Sequence, residues 1–258
     1  ACEYDDKYNS VKARDINYLS APFFHGCIEK AKSPTQGSGD ITIASPQYVG
    51  IANVIDSLII VRQFVYDEKI VTMQELTAAV QANWSGFEEL RTLIIKKGDF
   101  FGNDTERSNS IAQRFYQSLY KFFKDKTNLF GYHRLVGDLI GYYPHHQWFG
   151  EKTAATPDGR YTGDALKFGL GQSEGKDRNG LTALLNSIAK VDPNAIGCGS
   201  TVTNIMPDEQ LIKNDADFNK TADLLETYFK NGGVHFQLTY VSREDLLNAK
   251  KAPEKYKN

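Results

Sequence analysis

The sequence has little of what marks several protein classes. Its cysteines number only three, Cys2, Cys27 and Cys198. They are odd in number, far apart and without a C-x-x-C pair, which excludes a disulfide framework and a thiolate zinc site. Such sparing use fits a reducing compartment. No apolar run approaches the roughly 18 residues that cross a bilayer, and the stretch from Ala1 to Ser10 is too polar for a signal peptide. The expected location is the cytoplasm, with no membrane partner. Excess charge of one sign is missing too: 30 Lys and Arg against 32 Asp and Glu leave a net charge of -2. Nothing in that balance draws the chain to nucleic acid. Also absent are G-x-S-x-G, G-x-x-x-x-G-K-S/T, H-E-x-x-H and the dinucleotide-binding G-x-G-x-x-G. The five histidines lack metal-ligand spacing, and the adjacent His145 and His146 read as a solvent-facing pair. No metal is expected.

What is present is the makeup of a folded globular protein: 41% hydrophobic residues, 24% charged, with 14 Tyr and 15 Phe. At 258 residues the chain suits one large α/β unit or part of a bigger enzyme. Residues 1–45 read as an irregular segment, broken by Pro22, Pro34 and the Gly37-Ser38-Gly39 cluster. Residues 46–258 read as a helix-rich unit. Ser45 and Pro46 resemble an N-cap and first helical position before Ile51, Val54, Ile55, Leu58 and Val61, which keep helical spacing to about Tyr66. Thr72 with Glu75, and Ser85 with Glu88, have capping-box spacing before two further helices. A helix over 106–124 is expected to bury Ile111, Ala112, Phe115, Leu119, Phe122 and Phe123. From Asn128 to Gln172 a Gly- and aromatic-rich stretch reads as a long loop holding the Pro157-Asp158-Gly159 turn. Helices return near 181–191 and 218–230. After Gly232-Gly233, the alternation of Val234, Phe236 and Leu238 with His235, Gln237 and Thr239 marks a strand with one polar face. Ser242 and Asp245 start a last helix.

One short run holds a thiol and a carboxylate two residues apart: Gly26-Cys27-Ile28-Glu29. In extended backbone these side chains share a side. A sulfur that removes a hydrogen atom and a carboxylate that removes a proton would form a radical elimination pair. On spacing alone an ordinary loop is the better reading, because any C-x-E would qualify.

Five motifs in order change that balance. They are Gly26-Cys27-Ile28-Glu29, the run Gly50 to Leu58, Ala155-Thr156-Pro157-Asp158-Gly159-Arg160, Gly180 through Lys190, and Gly232-Gly233 through Gln237. Together they resemble the glycyl radical enzymes over nearly the whole chain from about Ala21. The resemblance implies half of a ten-stranded barrel surrounded by helices, with the cysteine on a loop at its centre. It implies that Cys27 becomes a thiyl radical and that Glu29 is the general base. It also implies a small-molecule substrate and a separate activating enzyme, which uses S-adenosylmethionine and an iron–sulfur cluster to install the radical; no cofactor is expected in this chain. Pyruvate formate-lyase has two adjacent cysteines at this loop, whereas Gly26 and Ile28 flank Cys27 here, so elimination from a diol or hydroxylated amine fits better than acyl transfer.

Two departures qualify the resemblance. Where relatives often carry a Gly-Gly-Ala-Arg-Tyr-Asn-like run, this chain has Gly37-Ser38-Gly39-Asp40-Ile41-Thr42, which leaves Asp40 placed to bind a hydroxyl or ammonium group or simply to face solvent. His235, Gln237 and Thr239 either line the substrate pocket or pair within a polar sheet face. The family's Arg-Val-x-Gly-Tyr-like glycine loop does not follow the Pro253 run. The expectation is therefore a chain truncated before the glycine radical domain and completed by the rest of the enzyme or by a glycine-loop subunit. Acyl transfer on a 2-oxo acid, a non-catalytic half-barrel subunit and a homodimer stay open.

Overall fold

A computed structural model of the chain describes residues 2–40, 48–132, 144–167, 169–191, 202–205, 212–239 and 241–256. Ser45, Pro46, Gly137, Gly141 and Cys198 lie outside them. The elements run α1 (Cys2–Lys12), α2 (Ile51–Ile60), α3 (Met73–Gln81), α4 (Glu88–Lys97), α5 (Glu106–Phe123), α6 (His145–Glu151), α7 (Gly180–Ala189), β1 (Asn204–Ile205), α8 (Asp215–Lys230), β2 (Gln237–Leu238) and α9 (Arg243–Lys251). The two strands pair in parallel, with Asn204 opposite Gln237 and Ile205 opposite Leu238. Among the described residues the fold is therefore mostly helical, with one short β-α-β unit.

Helix α2 is the spine. It starts after Gly50, whose φ of +83° suits glycine and whose N–H donates to the Lys167 carbonyl at 2.6 Å. It continues without a break as a π-helical turn over Val61–Asp67, so the expected end near Tyr66 agrees. Ile51, Ile55 and Ile59 recur every four residues and enter one core with Phe101, Tyr116 of α5, Leu184 and Ile188 of α7, and Tyr228 of α8. Ile60 and Phe64 turn into a second core with Leu76 and Ala79 of α3, Trp84, Ile94 of α4 and Phe100. One helix thus feeds both cores, and each fully buried large side chain stabilises by about 1.5–3 kcal/mol.

The capping expectations divide. Thr72 accepts from Glu75 N at 3.2 Å while Glu75 accepts from Thr72 N at 2.8 Å, a complete capping box. Ser85 and Glu88 do not form one: positive φ at Asn83, Trp84 and Gly86 swings the chain so that Phe87 becomes the N-cap, and Glu88 accepts from Gly86 N instead. Helix α5 is capped by Thr105, and its buried face runs through Ala112, Tyr116 and Phe123, leaving the expected Phe122 exposed. Ser242 caps α9 by accepting from Asp245 N, as its spacing suggested.

Two helices fall where loop was expected. Helix α1 carries Tyr4, Tyr8 and Val11 at helical spacing but keeps all three exposed; Asp6 anchors it by accepting from Leu129 N at 2.9 Å. Helix α6 lies inside the aromatic stretch. The strand over 234–239 is shorter than its alternation suggested, because only Gln237 and Leu238 lie beside β1.

Candidate active site

The thiol loop is turned, not extended. Lys30 N donates to Gly26 O at 3.2 Å and Lys32 N to Cys27 O at 3.1 Å, bonds that wind residues 26–32. The premise that Cys27 and Glu29 share a side through extended backbone therefore fails. Cys27 faces inward with 1% exposure, whereas Glu29 is exposed and its carboxylate has no hydrogen bond or ion pair among the described residues. Gly26 makes the winding possible: its φ is +86°, and a Cβ there would overlap the Asp40 carboxylate. The far side of the loop is fixed by Asp40 N donating to His25 O at 2.9 Å and by the Tyr132 hydroxyl donating to Gly37 O at 2.8 Å.

Cys27 is a free thiol whose sulfur lies 3.1 Å from the buried Ser38 hydroxyl. Sequence reasoning passed over Ser38 because its side chain reaches Cys27 only after the 26–32 turn folds back on the Gly37–Gly39 corner. Asp40, read as a possible binder of an ammonium group, already holds one: Lys30 Nζ donates to Asp40 Oδ1 at 3.1 Å and to Ser38 O at 3.0 Å. The ion pair raises the Lys30 pKa above its ordinary value through that hydrogen bond.

The strand residues are divided. His235 Nδ1 accepts from Thr203 N at 3.3 Å, a pairing across to the segment that leads into β1, while Gln237 and Thr239 remain exposed. Their backbone N–H groups donate to Thr203 O at 2.9 Å and Ile205 O at 3.0 Å.

A second polar cluster, unforeseen as a unit, holds the Pro-Asp-Gly turn against α2. Lys176 Nζ lies 2.7 Å from Asp158 Oδ2 and 3.6 Å from Asp56 Oδ2, and both carboxylates are fully buried. Asn53 donates to Asp158 at 3.0 Å, and Asp56 accepts from Ser173 at 2.7 Å and from Phe101 N at 2.9 Å. Burial pushes Asp56 up to about 6 against the pull of Lys176. Burial would likewise raise Asp158, but Lys176, the Thr156 hydroxyl and Asn53 outweigh it and hold that carboxyl below its ordinary value. Arg160 spends its guanidinium on backbone carbonyls, including Asp164 O at 2.6 Å and Thr153 O at 3.1 Å. Asp158 and Arg160 thus fasten a turn. The signal available was two polar residues, Asn53 and Asp56, three apart on a helix that is apolar but for Ser57.

A cleft of about 860 Å³ opens between α5 and the π-helical turn, lined by Leu58, Arg62, Arg107, Arg114 and Phe115. It shares no residue with the thiol loop. No helix among the described residues is long and apolar enough to cross a membrane.

Cys27 is thus a buried free thiol on a glycine-wound loop, two residues before an exposed carboxylate. The chain belongs to the glycyl radical enzymes: residues 12–137 match the pyruvate formate lyase-like family and residues 166–258 the glycine radical family. The second match begins inside the segment expected to stop short of the glycine radical domain. In sequence the chain is 33% identical to the probable dehydratase YbiW of Escherichia coli over 93% of its own length and 30% of that protein's. In structure it resembles the hydroxyproline dehydratase of Clostridioides difficile bound to trans-4-hydroxy-L-proline, with a TM-score of 0.90 and 29% identity over 98% of this chain and 32% of that one. It also resembles the glycerol-bound, B12-independent glycerol dehydratase of Clostridium butyricum, with a TM-score of 0.84 and 31% identity over 96% of this chain and 31% of that one. The chain spans about a third of the length of these relatives.

Proposed function

We propose that this chain carries the hydrogen-abstracting thiol and the general base of a glycyl radical lyase or dehydratase, within half of the family's barrel. The observation that carries the reading is the 1%-exposed free thiol of Cys27 on a glycine-wound turn, with Glu29, whose carboxylate has no hydrogen bond or ion pair among the described residues, two positions on. Burial suits a sulfur radical, which must be kept from water and dioxygen. The carboxylate, with no bond to break first among the described residues, is available to a substrate hydroxyl. The likeness to dehydratases of hydroxyproline and glycerol supports a small hydroxylated substrate.

A glycyl radical, installed by a separate activating enzyme, takes the hydrogen atom of the Cys27 thiol and leaves a thiyl radical. The thiyl takes a hydrogen atom from the substrate carbon bearing a hydroxyl. Glu29 takes the hydroxyl proton, the neighbouring carbon–substituent bond breaks with its electron pair leaving on the substituent, and the carbonyl forms. The radical now on the neighbouring carbon recovers a hydrogen atom from Cys27, which restores the thiyl. Asp40, His235, Gln237 and Thr239 are proposed as substrate contacts.

Glu29→Gln tests the base. In the activated enzyme the glycyl radical signal in electron paramagnetic resonance should stay at the wild-type level while turnover is lost; full activity in the variant would overturn the assignment.

A further inference from the structure

Ser38 has no place in the steps above. Its side chain is 2% exposed, and its hydroxyl lies 3.1 Å from Cys27 Sγ, 2.8 Å from Lys32 O and 2.8 Å from Ser33 O. A hydroxyl has one proton and two lone pairs, so it cannot donate to all three neighbours at once. Both carbonyls are stronger acceptors and nearer than the neutral sulfur. With the proton on a carbonyl, a Ser38 lone pair faces the sulfur and accepts the weak Cys27 S–H donor. Once the sulfur has lost its hydrogen, the same hydroxyl can rotate and donate to it.

We propose that Ser38 is a positioning residue for Cys27: its hydroxyl holds the sulfur in one orientation and serves it as acceptor in the thiol state and as donor in the thiyl state. The proposal rests on Cys27 being the hydrogen-abstracting thiol. Its geometric basis is a rigid seat. The Pro34–Gln36 turn before Ser38 is closed by a Ser33–Gln36 capping box, and the Tyr132 hydroxyl sits between the Gly37 and Gly39 carbonyls on either side of Ser38, 2.8 Å from the first and 3.2 Å from the second. The Ser38 carbonyl is occupied by Lys30. The hydroxyl is left as the part that can turn.

The test reads the sulfur directly. The Raman S–H stretch of Cys27, identified by its loss in Cys27→Ala, should move to higher wavenumber in Ser38→Ala as the hydrogen bond to the thiol disappears, and return in Ser38→Thr. In the activated enzyme kcat of Ser38→Ala should fall roughly tenfold with KM unchanged, the loss of about 1.4 kcal/mol from the reacting state alone. An unmoved S–H band would overturn the contact. A shifted band with unchanged kcat would overturn the positioning role. Turnover persisting in Cys27→Ala would instead overturn the function on which the proposal rests, whatever the band does.

Discussion

The Lys176 ammonium lies 2.7 Å from the Asp158 carboxylate in the interior, so the turn that follows α6 is tied by charge to the loop that precedes α7. Asp56 on α2, 3.6 Å from the same ammonium, brings the spine helix into the knot. One cation therefore serves two buried carboxylates from different parts of the chain.

Removing that cation should cost far more than a surface pair. Lys176→Met leaves two buried carboxylates facing each other with only neutral donors, and breaking a buried pair in this way costs about 3–5 kcal/mol. Urea denaturation should show the loss as a lower midpoint; a change below about 1 kcal/mol would mean that the cluster is solvated.

The two carboxylates also predict opposite pH dependences. Asp56 titrates near 6 in the folded chain, above an ordinary aspartate, so the folded state binds more protons than the unfolded state between about pH 4 and pH 6. Its contribution therefore falls as pH rises through that window, by at most about 1.4 kcal/mol per pH unit. Asp158 is held below its ordinary value, so its contribution is present above the usual aspartate range and is lost as pH falls through it. Comparing wild type with Asp56→Asn by denaturation from about pH 4 to pH 7 isolates the first effect: the difference between them should change across the window. A constant difference would contradict it.

Gly26→Ala should open the thiol loop. The φ of +86° costs a side chain about 1–2 kcal/mol, and the new Cβ overlaps Asp40. Displacing Asp40 breaks its pairing with Lys30, and the backbone bond to His25 weakens with it. Cys27 should then react several-fold faster with iodoacetamide than in the parent chain. An unchanged rate would show that the loop absorbs the methyl group without moving.

How much of this was legible in the sequence depends on how local each interaction is. The cap at Thr72 and the helical run from Ile51 through Phe64 depend on neighbours three or four residues away, and they could be read. Ser85 had the right spacing and still failed, because left-handed residues at 83, 84 and 86 redirected the chain before the helix began. Helix α1 had only the short set Tyr4, Tyr8 and Val11 to announce it, and all three stay exposed. Cys27 and Glu29 of the proposed thiol site could be picked out as residue types, but their orientation could not, since it follows from the winding at Gly26. Ser38 and the Asp56–Lys176–Asp158 knot join residues 11 to 120 positions apart, and no spacing rule reaches that far.

The central claim is that Cys27 is the sulfur that takes hydrogen from the substrate. The most direct test is turnover of the anaerobically activated Cys27→Ala enzyme, with glycyl radical content measured in the same samples. The account predicts a wild-type radical signal with turnover at background; product formation within tenfold of wild type would contradict it.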